Sequence, residues 1–289
     1  MGGGDGVELK RRTDNFILRL VGMTPTEMVE SRGARDVTGF LFLSVTGKLL
    51  QTGVAVLLMK VLSLRGFGLY ALVMSWTMVL IVPSLVGTPQ FVQREIAVAR
   101  SRAQWGRARG LFHWSTFTVL IVSSVIFIMA SGRVFMTLLS TNADRYAFLV
   151  GFILIPLMAL LQLWSVQLRA WGAILPGQMP DLIICPLLFG LLLLVMGTLL
   201  ATIRMGAPVA LGVNCGASLI ALGMAAFLKF HYVRIEKIEP AKTETQKWLG
   251  QSSRFTLLSG LAIINYRIGI LMVGGILGKA DTGLFMVAV

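Results

Sequence analysis

Seven long apolar stretches constrain the fold of this chain more than any other feature. A helix rises about 1.5 Å per residue, so about twenty apolar residues cross the roughly 30 Å hydrocarbon core of a bilayer. Hydrophobic residues make up 56% of the 289 residues and charged residues 13%, a balance that water-soluble domains of this length do not have. We therefore predict an all-α, polytopic membrane helix bundle. Its spans are expected near 40–62, 68–90, 111–130, 146–168, 180–200, 207–228 and 255–277.

The seventh stretch opens a second copy of the beginning of the chain. Laid without gaps, residues 40–74 and 255–289 share one order of features: polar approach, long apolar helix, short charged turn and Gly-Leu-aromatic motif. Internal repeats of whole helix sets are typical of transporter folds. We therefore predict the first six-helix lobe of an internally repeated transporter plus the start of a second lobe. The eighth span starts at Gly283 and is incomplete at Val289, which predicts a C-terminally truncated chain.

The loops predict the topology of the bundle. With the N-terminus inside, 18 Lys and Arg residues fall on the inner side and 6 on the outer side, as the positive-inside rule requires. The net charge of +13 is therefore a topology signal and does not indicate nucleic acid as a partner. The predicted parts are a largely disordered cytoplasmic tail at 1–39, the first transmembrane lobe at 40–228, a cytoplasmic inter-lobe linker at 229–254 and the start of the second lobe at 255–289.

Two cations lie inside the predicted spans, Lys48 in the first and Arg267 in the seventh. A charge at this depth costs a few kcal/mol, so it faces a partner or a water-filled cavity unless it can snorkel, which remains open for Lys48. In the repeat, Lys48 aligns with Ile263, one helical turn before Arg267, so both cations share a face. Gln51 and Thr52 continue that face. We predict that Lys48, Arg267, Gln51 and Thr52 line a cavity suited to phosphate or pyrophosphate.

Other residue types exclude catalysis and metal binding at the sequence level. Nearly all carboxylates lie in the tail or in loops, and Asp181 alone approaches a span, at its expected start. No intramembrane acid pair for acid–base chemistry is present in the sequence. The cysteines and histidines have no ligand spacing, and no phosphate-binding loop occurs. We predict no catalytic residue, no metal and no cofactor, and therefore no enzyme.

The basic segment 91–110 lies between the second and third spans. We predict that it forms a helix at the inner membrane surface, where Arg94, Arg100 and Arg102 contact anionic lipid headgroups. The alternative is that these arginines guide an anionic lipid headgroup toward the cavity.

Several motifs, taken in order, carry a family resemblance. They are Gly66–Tyr70, Leu85–Gly87, Phe91–Ala97, Gln167–Gly172, Asn265–Gly269 and Gly283–Phe285. In this order and spacing they resemble bacterial lipid-linked oligosaccharide and polysaccharide (O-antigen-type) flippases of the multidrug/oligosaccharidyl-lipid/polysaccharide exporter superfamily. The resemblance covers roughly residues 36–289. One departure is Gly269, where the family often has an acidic residue two positions after the arginine that matches Arg267.

The resemblance implies a V of two six-helix lobes around a cationic cavity. It implies that the protein flips an undecaprenyl-pyrophosphate-linked oligosaccharide across the bacterial cytoplasmic membrane by alternating access, with the N-terminus cytoplasmic. The implied partners are the lipid-linked glycan, membrane lipids, a polysaccharide polymerase and glycosyltransferases. The alternatives are a multidrug exporter of the same superfamily, which would use intramembrane acids, and a non-transporting membrane fragment.

Overall fold

The computed structural model describes residues 25–136, 142–199, 206–233, 245–246, 248–252 and 272. Within these ranges the secondary structure is helical, without strands. The α-helices are α1 (Pro25–Val61), α2 (Leu64–Leu85), α3 (Thr88–Ser101), α4 (Trp105–Met136), α5 (Asn142–Ala170), α6 (Ile174–Met179), α7 (Cys185–Leu199) and α8 (Ala207–Tyr232), and a π-helical turn (Pro180–Ile184) joins α6 to α7. This confirms the predicted all-α class.

Six helical segments of the described chain are long and apolar enough to cross a membrane. They are Thr38–Val61, Leu64–Leu85, Trp105–Val134, Asp144–Ala170, Ile174–Thr198 and Ala207–Tyr232. Each overlaps one of the first six predicted spans, so the polytopic helix bundle is also confirmed. The seventh and eighth spans, with Arg267, lie outside the described residues, and the repeat and the domain bounds stay predictions.

The chain divides into two compact units, Met1–Phe42 and Leu43–Val289. In the first unit the described residues, 25–42, are helical, although the sequence interpretation placed most of them in a largely disordered tail. In the second unit α5 is the central helix, since it packs against α2, α3, α4 and α8. Its contact with α8 is the most extensive, because alanines of α8 (Ala210, Ala217, Ala221 and Ala225) are fully buried and small enough for close helix approach.

The second span ends earlier than the sequence predicted. The stretch 68–90 was expected to be one apolar helix containing Pro89, but α2 stops at Leu85 because Val86 and Gly87 have positive φ angles of 48° and 62°. Pro89 then lies in the first turn of α3, where its missing N–H costs no hydrogen bond. The segment therefore contains a short separate helix, α3, in the region predicted to be a surface helix.

The π-helical turn breaks the fifth span near two prolines. The N–H of Cys185 donates to the carbonyl of Pro180, five residues back, which defines the π turn. Pro186 has no N–H, so it cannot bond the carbonyl of Leu182 four residues back. That carbonyl oxygen lies close to α1. A methyl group added to Gly47 would be only 2.8 Å from it. The two prolines thus shape the surface that α1 contacts.

The part of α1 from Leu43 onward meets α7 in a narrow seam. The contacts pair Gly47 with Leu182 of the π-helical turn, and Val54 with Gly190 and Val61 with Gly197 of α7. The intervals are seven residues on α1, and eight and then seven residues on the partner segment. This spacing is that of two parallel helices touching along one stripe. Within the described chain, α1 has no extensive backbone contact with any helix, α7 included. An apolar groove of about 740 Å³ runs along one side of the seam.

Candidate functional site

A cavity of about 310 Å³ lies between six helical segments of the second unit. Its lining includes residues of α1 that lie about one helical turn apart, together with residues of α2, α5, α7, α8 and the π-helical turn. The lining residues are Gln51, Val54, Ala55, Leu58, Tyr70, Ala71, Met74, Met78, Met158, Leu161, Gln162, Asp181, Cys185, Pro186, Phe189 and Asn214. We call this space the central cavity.

The polar groups of the central cavity come from different helices. Gln51 comes from α1, Tyr70 from α2, Gln162 from α5, Asp181 from the π-helical turn and Asn214 from α8. Amides and phenols both donate and accept hydrogen bonds, and a carboxylate accepts them. Among the described residues that line the cavity there is no Lys or Arg. A ligand here would meet one acid, three amides and apolar walls.

One wall is held in a fixed geometry. The Asn214 side-chain amide donates to the Tyr70 hydroxyl oxygen at 3.2 Å and lies 3.7 Å from the Met74 sulfur. The Tyr70 ring stacks on Phe189, with centroids 6.2 Å apart and planes inclined by 14°. Since Tyr70 accepts from Asn214, its own O–H remains able to donate to a ligand. The wall therefore presents an aromatic surface with a positioned hydroxyl.

Asp181 is the acid of the central cavity and lies within the fifth span. It sits in the π-helical turn between the span's first residue, Ile174, and its apolar second half. The described residues place no cation within ion-pair distance of its carboxylate, and Arg169 near the end of α5 attracts it from farther away. An acid at this position suits a ligand that carries hydroxyl or cationic donors.

The sequence interpretation placed Asp181 incorrectly. It put Asp181 at the edge of a span beginning at residue 180, but the span begins at Ile174, so Asp181 is almost two turns inside it. The available signal was the pair Pro180 and Pro186, because prolines close to an acid in an apolar stretch indicate an irregular helix at a polar site. Tyr70, Gln162 and Asn214 were also missed, since isolated polar residues in apolar helices give no local pattern.

The predicted substrate-binding residues do not all meet in the central cavity. Gln51 is in its lining. Lys48 is on α1 almost one turn before Gln51, is exposed, and lies outside the lining. Thr52 is exposed and its hydroxyl donates to the Lys48 carbonyl at 3.0 Å, within the helix. Arg267 lies outside the described residues. Lys48 and Thr52 therefore do not line the central cavity, and the cationic cavity that the resemblance implied stays a prediction.

The three interfacial arginines have different surroundings. Arg94 lies 3.4 Å from the Glu95 carboxylate, which Arg107 also contacts at 2.9 Å. Arg100 donates to the Trp171 carbonyl and lies over the Trp171 ring. Arg102 is exposed at the end of α3. The Glu95–Arg107 pair and Arg100 thus tie α3 to its neighbours, whereas the Arg94–Glu95 contact lies within α3. Headgroup contact by the three arginines stays a prediction.

Comparison with known proteins places this architecture in a family. The family model described as polysaccharide biosynthesis protein matches residues 34–289, which include all six described spans and every residue of the central cavity. The chain belongs to the polysaccharide biosynthesis protein family. No curated protein and no solved structure matches the chain.

In this polysaccharide biosynthesis protein the predicted inter-lobe linker also contributes to the fold. Trp248, within the linker range 229–254, is 1% exposed and meets Trp114 of α4 edge-to-face, with centroids 5.5 Å apart. Phe91 of α3 contacts the same Trp114 at 6.0 Å. An aromatic cluster therefore joins α3, α4 and the linker.

Proposed function

We propose that the protein is a transporter of polysaccharide export that flips an undecaprenyl-pyrophosphate-linked oligosaccharide across the bacterial cytoplasmic membrane by alternating access. Family membership and the six membrane-length helices support a transporter of this pathway. The observation that carries the proposal is the convergence of polar side chains from five helical segments on one cavity inside an apolar bundle. Such groups are costly in a bilayer and mark substrate pathways.

The chemistry of the central cavity suits sugars. Gln51, Gln162 and Asn214 can each donate to and accept from hydroxyl groups, and the stacked rings of Tyr70 and Phe189 offer an apolar face to a sugar ring. At about 310 Å³ the cavity is at the small end of ligand pockets, so it would hold part of a glycan.

The pyrophosphate is expected outside this cavity, because the carboxylate of Asp181 would repel it. Lys48, almost one turn from Gln51 along α1, and Arg267 are the proposed pyrophosphate contacts. Gln51 and Thr52 are the proposed hydrogen-bonding residues beside them. No catalytic group or cofactor is part of this mechanism. The glycosyltransferases that build the glycan and the polymerase that extends it are the proposed partners.

The test is a flipping assay in proteoliposomes. The probe is the lipid-linked oligosaccharide extracted from the cells that produce the protein, and external periodate oxidises the sugars that reach the outer leaflet. We expect the protein to expose the protected inner-leaflet glycan with time, because flipping continually renews the outer pool. Protection that decays no faster than in liposomes without protein would contradict the proposal.

A second candidate is a multidrug exporter of the same superfamily, and Asp181 favours it. An acid beside Met74, Met158 and the aromatic Phe189 is the kind of lining that binds apolar cations. The same proteoliposomes loaded with ethidium separate the candidates. Ethidium export with no movement of the glycan would replace the first proposal by the second, and movement of neither would indicate a non-transporting protein.

A further inference from the structure

A second cavity, of about 460 Å³, lies where the first turns of α4 meet the last turns of α8. It has no lining residue in common with the central cavity. Its lining residues are Arg109, Phe112, His113, Thr116, Trp164, Ala226, Lys229, Phe230 and Val233. We call it the α4–α8 cavity.

The polar lining of the α4–α8 cavity is basic. Arg109, His113 and Thr116 are spaced by four and three residues, so they lie on one face of α4. Lys229 approaches from α8. No described residue of the lining is a carboxylate. An arginine, a lysine and a histidine therefore surround one space, and their N–H groups are donors of the kind that bind a phosphate group.

The Lys229 ammonium is held in place by rings. Its nitrogen lies 5.3 Å from the centre of the Phe112 ring and 5.2 Å from that of Trp164. Within the described ranges no carboxylate is close enough to form an ion pair with it. Ring faces attract a cation without using its N–H donors, so the donors stay available for an anion.

The depth of the cavity matches a membrane surface. Arg109 is four residues after Trp105, where the third span starts, and Lys229 is three residues before Tyr232, where the sixth ends. Both therefore lie roughly 5 Å within their spans, close to the headgroup level. Farther along α4, on the face of His113, Phe117 is 66% exposed. On α8, Phe230 is 89% exposed.

We propose that the α4–α8 cavity binds the phosphate of an anionic glycerophospholipid, with Arg109 and Lys229 contacting the phosphate. His113 adds a hydrogen bond, and one acyl chain follows the exposed apolar face of α4 past Phe117. The surface is basic at the ends of the two spans and apolar farther into them. This arrangement favours a lipid over a free phosphate ion. This site does not depend on the proposed transport function.

The experiment measures lipid retention by the full chain after delipidation in detergent. Native mass spectrometry with added phosphatidylglycerol or phosphatidylcholine counts bound lipid. We expect preferential binding of phosphatidylglycerol, and roughly tenfold weaker binding in both Arg109→Gln and Lys229→Gln, because each removes one charge-assisted contact. The charge-preserving double variant R109K/K229R should retain the preference. It also keeps the test valid if a neutral variant does not fold.

The matched control is the double variant K60Q/R65Q. It removes two positive charges, as Arg109→Gln and Lys229→Gln do when combined, but from two exposed positions outside the cavity. It should therefore bind phosphatidylglycerol like the unaltered protein. An equal loss in this control, or equal retention of both lipids by the unaltered protein, would overturn the proposal. Displacement of phosphatidylglycerol by millimolar inorganic phosphate would assign the cavity to the free ion. Preferential binding of undecaprenyl phosphate would assign it to the substrate lipid, and either result overturns the glycerophospholipid assignment.

Discussion

Gly47 of α1 lies directly against the main chain of Leu182, so that a methyl group at Gly47 would be 2.8 Å from the Leu182 carbonyl oxygen. The Leu182 carbonyl has no α-helical donor, because Pro186 provides no N–H to bond it. Backbone atoms of a helix cannot move aside as a flexible side chain can. The approach of α1 to the fifth span therefore depends on the absence of a side chain at position 47.

The first prediction follows from this contact. Gly47→Ala should lower the free energy of unfolding by about 1–3 kcal/mol, because the added methyl overpacks the seam. Thermal unfolding of the purified protein in detergent measures the change. Gly53→Ala is the control, since Gly53 is on the same helix and no atom lies within 4 Å of its added methyl. It should be neutral or slightly stabilising, because Ala is the better helix former. Equal effects of the two substitutions would contradict the role of Gly47.

The second prediction concerns the acid of the central cavity. Asp181→Asn should reduce transport roughly tenfold or more, because hydrogen bonds to a charged acceptor are replaced by neutral ones of similar shape. The substitution is made in the chromosomal gene, so that the natural protein carries it, and surface polysaccharide is quantified. Asp181→Glu, which keeps the charge, should retain more activity than Asp181→Asn. Unchanged polysaccharide in Asp181→Asn would remove Asp181 from the site.

The third prediction is an energetic coupling across the cavity wall. The amide of Asn214 donates to Tyr70 in a buried setting. A double-mutant cycle with Tyr70→Phe and Asn214→Ala should give a coupling of about 1 kcal/mol in unfolding free energy. Ser84 lies fourteen residues farther along α2, roughly 21 Å away, so Tyr70→Phe and Ser84→Ala should be additive. Additivity in the first pair would show that the hydrogen bond contributes nothing.

The fourth prediction tests the cations assigned to pyrophosphate. Arg267→Ala and Lys48→Ala should each abolish surface glycan, since each removes a charged contact to the phosphates. The measurement is complementation of a strain that lacks the gene. Lys60→Ala, which removes an exposed cation from the last turn of the same α1, is the control and should restore wild-type glycan. Wild-type glycan in the Arg267→Ala strain would end that assignment.

The sequence predicted the helices well because a membrane span is a local property. Twenty apolar residues in a row specify a helix of known length, and no distant residue is needed to recognise it. The central cavity is different. Tyr70 and Asn214 are 144 residues apart and meet because α2 and α8 both pack on α5. No periodicity within either helix predicts such a pair.

Asp181 illustrates the second reason for a missed site residue. Its depth depends on where the fifth span begins, and a hydropathy pattern places that boundary poorly when prolines and a glycine precede the most apolar part. Because six helical residues (Ile174–Met179) precede Pro180, Asp181 lies inside the fifth span, whereas the sequence pattern had placed it at the edge of that span. Lys48, by contrast, was singled out by its charge, a signal independent of what surrounds it in space.

The seam between α1 and α7 has a mechanical consequence. Displacing α5 would disrupt its packing against five other helices (α2, α3, α4, α6 and α8), whereas α1 has no extensive backbone contact with any helix of the described chain and packs through side chains such as Val54 and Leu58. Of the helices that line the central cavity, α1 therefore has the least extensive backbone packing, and its displacement would disturb the fewest helix–helix contacts. Glycines and prolines of α1 and of the fifth span thus determine where these two segments touch and where they do not.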